Sequence, residues 1–146
     1  MNPRDFLTLA NALAAGTTEA AWRSAVSRAY YAAFHAARLL LRDLGFRTPR
    51  GDQAHAYLWM RLSNCGNARL EAAGQKLQDL RRERNRADYD LDIPLPQVSV
   101  PVRIGVAAHV MQTLDSGRVE PVRTQITNAI RTYERTVLGV VTWQVP

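Results

Sequence analysis

The sequence predicts an all-α fold, an up-and-down bundle of about five to six helices, and three observations carry that expectation. Apolar residues recur at steps of three and four along most of the chain. Glycine, asparagine and proline interrupt this pattern at the ends of segments, where helix stops and caps belong. The connections between periodic segments are short, which favours antiparallel neighbours. With 146 residues and 47% of them apolar, the chain can build a real core. It shows no internal repeat. Residues 1–139 are read as one helical domain and 140–146 as a C-terminal tail.

The first helix opens at Asn2-Pro3, with Asn2 as cap, Pro3 in the first turn and Asp5 favoured there by the helix dipole. Phe6, Leu9, Ala10 and Leu13 give it an apolar face, and Gly16 stops it. Thr17 or Thr18 caps a long second helix running to about Leu44. Its stripe is Trp22, Val26, Ala29, Ala33, Ala36 or Ala37, Leu40 and Leu44. The alanines let a neighbouring helix approach closely. Thr48-Pro49-Arg50-Gly51 is a turn, and a third helix is expected from about Asp52 to Leu62. After Asn64-Cys65-Gly66-Asn67, a fourth helix runs from about Ala68 to Asp88. Three prolines make residues 90–101 a loop. The fifth helix spans about Val102 to Ser116. The sixth starts at Glu120-Pro121, carries Val122, Ile126, Ala129, Ile130, Tyr133 and Val137, and ends at Gly139. The remaining tail is apolar and β-branched, and periodicity does not place it.

The net charge is +6, carried almost wholly by arginine, with Lys76 the only lysine. A basic balance favours an anionic partner, though an arginine-rich composition also arises from codon usage. The guanidinium fork matches phosphate and carboxylate oxygens. Cys65 is the single cysteine, so an intrachain disulfide and a cysteine metal site are excluded. There is no P-loop, dinucleotide fingerprint or His-Glu-x-x-His, and His35, His55 and His109 are scattered. No metal and no cofactor are expected. Met1-Asn2-Pro3-Arg4-Asp5 does not open a signal region, and charges break every long apolar stretch. A cytoplasmic protein without a membrane span is the expectation.

The fourth helix carries the main functional signal. Its stripe reads Leu70, Ala73, Leu77, Leu80, and the next steps on that face fall on Arg84, Ala87 and Asp88. A core-facing stripe thus ends in a charged pair. Charges aimed at a bundle interior are costly unless paired or lining a cavity. Arg84 and Asp88, four apart, can pair within the helix. Tyr89 follows at the helix end. The plain alternative is a solvated charged turn made by Arg81, Arg82, Glu83, Arg84 and Arg86. On the second helix, Ser27, Tyr31, His35, Arg38 and Arg42 share one side. If that side lies beside the fourth helix, Tyr31 and His35 approach Arg84 and Asp88.

Two segments, Ser27-Arg28-Ala29-Tyr30-Tyr31-Ala32-Ala33-Phe34-His35-Ala36-Ala37-Arg38 and Arg84-Asn85-Arg86-Ala87-Asp88-Tyr89, together resemble the HEPN superfamily over about residues 5 to 135. The resemblance implies a helical bundle, commonly a homodimer with the motif helices facing across a cleft. It implies RNA or nucleotide as ligand. Many members are metal-independent ribonucleases, and several are toxins paired with a nucleotidyltransferase antitoxin. Their hallmark is Arg, four to six residues, then His, often opening Arg-Asn and closing with Tyr. Here Arg84, Asn85 and Tyr89 match, while Asp88 stands near the histidine position. The resemblance makes Arg84, Asp88 and Tyr89 the candidate catalytic residues. Asn85, Arg81, Tyr31, His35 and Ser27 are the candidate binding residues. Metal-free RNA cleavage needs a base for the 2′-hydroxyl, and carboxylate is a weak base at neutral pH. His35 is the imidazole that the second helix can offer. The expected function is an RNA- or nucleotide-binding protein, including the ribonuclease toxin of a toxin–antitoxin or defence system. The alternative is an inactive HEPN interaction module for dimer or partner assembly.

Overall fold

The computed structural model describes residues 1–145 and is an all-α bundle, as the periodicity predicts. Its helices are α1 (Arg4–Ala14), α2 (Glu19–Asp43), α3 (Gln53–Leu62), α4 (Ala68–Tyr89), α5 (Val100–Ser116) and α6 (Val122–Tyr133). A 3-10 turn, Gln97–Ser99, precedes α5, and a π turn, Glu134–Leu138, extends α6. Among the described residues none of these helices is long and apolar enough to cross a membrane.

Helix ends follow local chemistry. Asn2 Oδ1 accepts the Arg4 N–H at 2.9 Å, and Thr18 Oγ1 accepts the Ala21 N–H at 3.2 Å. Asn67 Oδ1 takes the Leu70 N–H at 3.1 Å, a cap at the start of α4. Two expectations are corrected. Helix α5 begins at Val100, not Val102, because Pro101 sits in its first turn, where its missing N–H costs nothing. Val137 does not continue the apolar stripe of α6 and is exposed. The π turn adds a residue to its last turn and rotates Val137 off the face. Gly139, in the left-handed region at φ 67°, then closes the segment.

The described backbone divides into two compact units, residues 1–35 with 76–111 and residues 36–75 with 112–145. In the first, Ala10 of α1, Val26, Ala29, Tyr30 and Ala33 of α2, Leu77 and Leu80 of α4, and Ile104 and Ala107 of α5 are buried. The alanines permit close approach, and each larger apolar side chain removed from water contributes about 1.5–3 kcal/mol.

In the second unit the core is Ala37, Leu40 and Leu44 of α2, Leu58 and Leu62 of α3, Leu70 of α4, and Ile126 and Ile130 of α6. Gly74 lets α4 lie against the end of α3, since a Cβ there would come within 2.8 Å of Ser63 N. The tail that periodicity left unplaced is ordered. Trp143 forms an isolated antiparallel bridge with Phe46. Around it, Gln144 N donates to Gly45 O at 2.8 Å, and Arg47 N donates to Thr142 O at 2.9 Å. Trp143 Nε1 caps the Leu44 carbonyl at 2.9 Å, and Arg131 lies 3.9 Å from the indole centroid.

Candidate functional site

The end of α4 and the first half of α2 belong to the same unit, and their polar faces meet there. Arg84 Nε stands 2.9 Å from Asp88 Oδ2, the four-residue pairing that the sequence spacing suggests. Yet this buried Nε makes no directed hydrogen bond, so charge and not N–H alignment holds the pair. Arg84 Nη1 donates to Asn85 Oδ1 at 3.0 Å. Asp88 Oδ2 in turn accepts the hydroxyl of buried Ser27 at 3.2 Å, which ties α4 to α2. The two charged side chains are 17% and 27% exposed: withdrawn from solvent, but not sealed.

Aromatic rings surround the guanidinium. Arg84 Cζ lies 5.2 Å from the Tyr31 centroid and 5.7 Å from that of Tyr89, both within cation–π range. Tyr31 also meets Arg28, 5.0 Å from its centroid. Tyr31 and His35 have ring centroids 6.2 Å apart, and Phe6 of α1 stacks on His35 at 5.6 Å. Tyr30 lies beneath, with burial raising its hydroxyl pKa and the Arg81 and Arg84 charges partly opposing that. Arg81 is half-buried, and its Nε makes no hydrogen bond.

The structure therefore brings Arg84, Asn85, Asp88, Tyr89, Ser27 and Tyr31 into one cluster. His35 joins it through Tyr31, and Arg81 through Tyr30. Of the charged run, Arg82 and Arg86 are the solvated turn of the plain alternative. They pair with Asp79 and Glu83 at 3.2 Å and are 63% and 66% exposed. The helical stripe is what separates Arg84 from them.

Sequence reasoning missed the residue that fixes the end of α4. Arg23 is buried, and its guanidinium donates to the carbonyls of Arg86 (3.3 Å), Ala87 (3.0 Å) and Asp90 (3.4 Å), and to Ile93 O. Glu19 orients it, with Oε1 2.8 Å from its Nε. A cation on the last carbonyls of a helix satisfies orphan acceptors and opposes the negative end of the dipole. The signal was present: Arg23 extends the series Ser27, Tyr31, His35 one turn back. Arg103 of α5 supports the other side by binding Glu83 at 2.6 Å.

Chemically, the cluster presents a guanidinium set near two tyrosine rings and only partly neutralised. Such a group can bind phosphate oxygens, while the Tyr89 ring, 70% exposed, can stack on a base. No group of three or more His, Cys, Asp or Glu among the described residues is arranged to hold a metal.

Comparison with known proteins agrees with the geometry. The family model described as the HEPN domain matches residues 4–112, which include α1 to α4, most of α5, and both motif segments. No curated protein and no solved structure gives a significant match to the chain. A match over most of the sequence, including the elements that build the Arg84 cluster, shows that the chain belongs to the HEPN family.

Proposed function

We propose that this protein binds RNA or a nucleotide through the Arg84 cluster, with Arg84 holding phosphate and Tyr89 and Tyr31 contacting a base. The observation that carries the reading is the incomplete pairing of Arg84. Its Nε lies beside Asp88 without a directed hydrogen bond, and two tyrosine rings flank it. Asn85, through its contact with Arg84, and Arg81 add donors and positive charge at the same helix end. Ser27 holds Asp88, and so limits how far that carboxylate can follow the guanidinium.

A second reading, cleavage as the metal-independent ribonuclease of a toxin–antitoxin or defence system, is favoured by His35. Its imidazole reaches the cluster through Tyr31 and supplies the nitrogen base that α4 lacks after Arg84. In that reading Arg84 stabilises the phosphorane charge, with Asp88 and Tyr89 completing the catalytic set. The exposed Tyr89 hydroxyl is also the acceptor that a nucleotidyltransferase antitoxin would modify. A homodimer pairing two such clusters completes the proposal, and light scattering at micromolar concentration tests it.

One experiment separates the readings. Binding and degradation of single-stranded RNA are measured for wild type and for the Arg84→Ala, Asp88→Asn, Tyr89→Phe and Arg82→Ala proteins, at low and moderate salt. Arg84→Ala should lose about 1.5–3 kcal/mol of binding, the worth of charged hydrogen bonds, and flatten the salt dependence. Arg82→Ala is the solvated control and should change little. For a binding module, Asp88→Asn releases Arg84 and tightens binding. For a nuclease, Asp88→Asn abolishes cleavage that wild type performs. If wild type neither binds nor cleaves RNA or nucleotides, the protein is an interaction module and the cluster is structural.

A further inference from the structure

The second unit holds a cleft that shares no lining residue with the Arg84 cluster. It has a volume of about 640 Å³, and its lining includes Arg38 and Arg42 of α2, Arg47 and Arg50 of the following loop, and Gln144 of the tail. We propose that this cleft is a separate anion site that takes a compact run of phosphates, as in a nucleoside triphosphate.

Four observations support it. No aspartate or glutamate is among the residues lining the cleft. None of the four guanidiniums forms an ion pair with a carboxylate among the described residues. The nearest carboxylate in sequence, Asp43, is committed elsewhere, to Arg118 at 3.1 Å and Arg123 at 2.9 Å. Arg38 Nε is buried and has no hydrogen-bond partner. Arg38 and Arg42 are four apart on one helix, a like-charge spacing that destabilises a helix unless an anion bridges it.

The walls are fixed. On one side the loop after α2 is clamped to the tail by the Gln144–Gly45 and Arg47–Thr142 backbone hydrogen bonds. Gly45 has φ 106°, and a Cβ there would lie 2.8 Å from Gln144 O and Trp143 Nε1, so the close approach of the tail depends on that glycine. A cleft held open by backbone hydrogen bonds presents its arginines without further ordering, which favours affinity.

Charge density selects the ligand class. Four guanidiniums in one cleft ask for several negative charges in a small volume, and phosphate oxygens match the guanidinium fork. An extended acidic peptide places carboxylates on one side only at every second residue, so four of them span about 20 Å. A triphosphate concentrates comparable charge in far less space. The one aromatic residue of the lining, Phe46, is 2% exposed, so a base finds no ring to stack on. Recognition is therefore of phosphate and indifferent to the base.

The test uses the full chain, with calorimetry and thermal denaturation in tripolyphosphate, ATP, GTP, adenosine, hexaglutamate and a single-stranded RNA octamer. Arg84→Ala, which removes phosphate binding at the other cluster, should still bind tripolyphosphate, ATP and GTP with similar affinities and should not bind adenosine. The double variant Arg38→Gln/Arg47→Gln should lose at least tenfold in affinity. Its melting temperature without ligand should be equal to or above that of wild type, because repulsion is relieved. Arg50→Gln, on the exposed loop, should weaken binding less while leaving the fold intact. In the Arg84→Ala background the double variant should leave octamer binding unchanged; if octamer binding weakens with it, the cleft serves a strand and the triphosphate assignment fails. The proposal fails if wild type does not bind tripolyphosphate, if the cleft variants bind it unchanged, or if Arg84→Ala abolishes binding. Hexaglutamate binding as tight as tripolyphosphate would also overturn it.

Discussion

Two arginine–carboxylate pairs in this protein have opposite environments. In the second unit, Arg61 and Glu134 are 5% and 1% exposed. Arg61 Nε donates to Glu134 Oε2 at 2.7 Å, and Nη1 donates to Tyr57 O at 3.3 Å. Glu134 Oε1 accepts the Thr142 N–H at 3.0 Å, and Oε2 accepts the Thr142 hydroxyl. Tyr57 lends its ring to Arg61, 3.5 Å from the guanidinium carbon, and its hydroxyl to Thr142 at 2.6 Å. In the first unit, Arg84 and Asp88 stand nearly as close, at 2.9 Å, but are 17% and 27% exposed, with the Arg84 Nε unaligned. The first pair is satisfied on every side and is structural. The second keeps one buried donor, Arg84 Nε, without an aligned acceptor beside tyrosine rings, which suits the proposed binding role. Separation in ångströms does not distinguish them; completeness of hydrogen bonding does.

This contrast predicts mutational effects of graded size. Glu134→Ala should be the most damaging, by about 3–5 kcal/mol, because it strands a buried Arg61 charge. Chemical denaturation measures it, and a loss below about 1 kcal/mol would put this pair in the same class as Arg84–Asp88. Next is Thr142→Val, which removes the hydroxyl shared by Tyr57 and Glu134. Leaving those groups under-satisfied should cost about 1–3 kcal/mol by the same measurement. Smallest is Asp88→Asn, expected to change stability by no more than about 1 kcal/mol while altering RNA binding or cleavage. Large unfolding by Asp88→Asn would make the Arg84–Asp88 pair structural as well.

Cys65 provides a probe that sharpens the same comparison without global unfolding. Its thiol is buried in the second unit, and burial pushes its pKa up to about 11. A thiol reagent at neutral pH should therefore react only when that region opens. Glu134→Ala should accelerate labelling under native conditions, whereas Asp88→Asn should leave the rate at the wild-type value.

Much of the candidate site was legible because it rests on helical phase. The stripe Leu70, Ala73, Leu77, Leu80 leads to Arg84 and Asp88 by counting alone, and Ser27, Tyr31 and His35 share a face for the same reason. Arg23 was on that face too, but nothing local marks an arginine as a ligand for carbonyls more than sixty residues away. Arg81 and Arg82 are adjacent in sequence and alike in type. Only the packing distinguishes the half-buried Arg81 from the exposed Arg82.

By itself, then, the sequence determined the all-α class, the helices and nearly all of their ends, since backbone period, caps and stops act over a few residues. Tertiary structure decided where charges find partners and where the tail goes. Glu134 reads as an ordinary polar residue of a final helical turn, yet it is buried against Arg61 and Thr142. Val140–Val145 carries no helical phase, and its place depends on the free carbonyls of Leu44 and Gly45 and the N–H of Arg47. Apart from the local Glu134–Thr142 bond, such contacts join residues seventy to a hundred positions apart. Their energy comes from desolvation and hydrogen-bond completion in the folded chain, and no short window of sequence contains both partners.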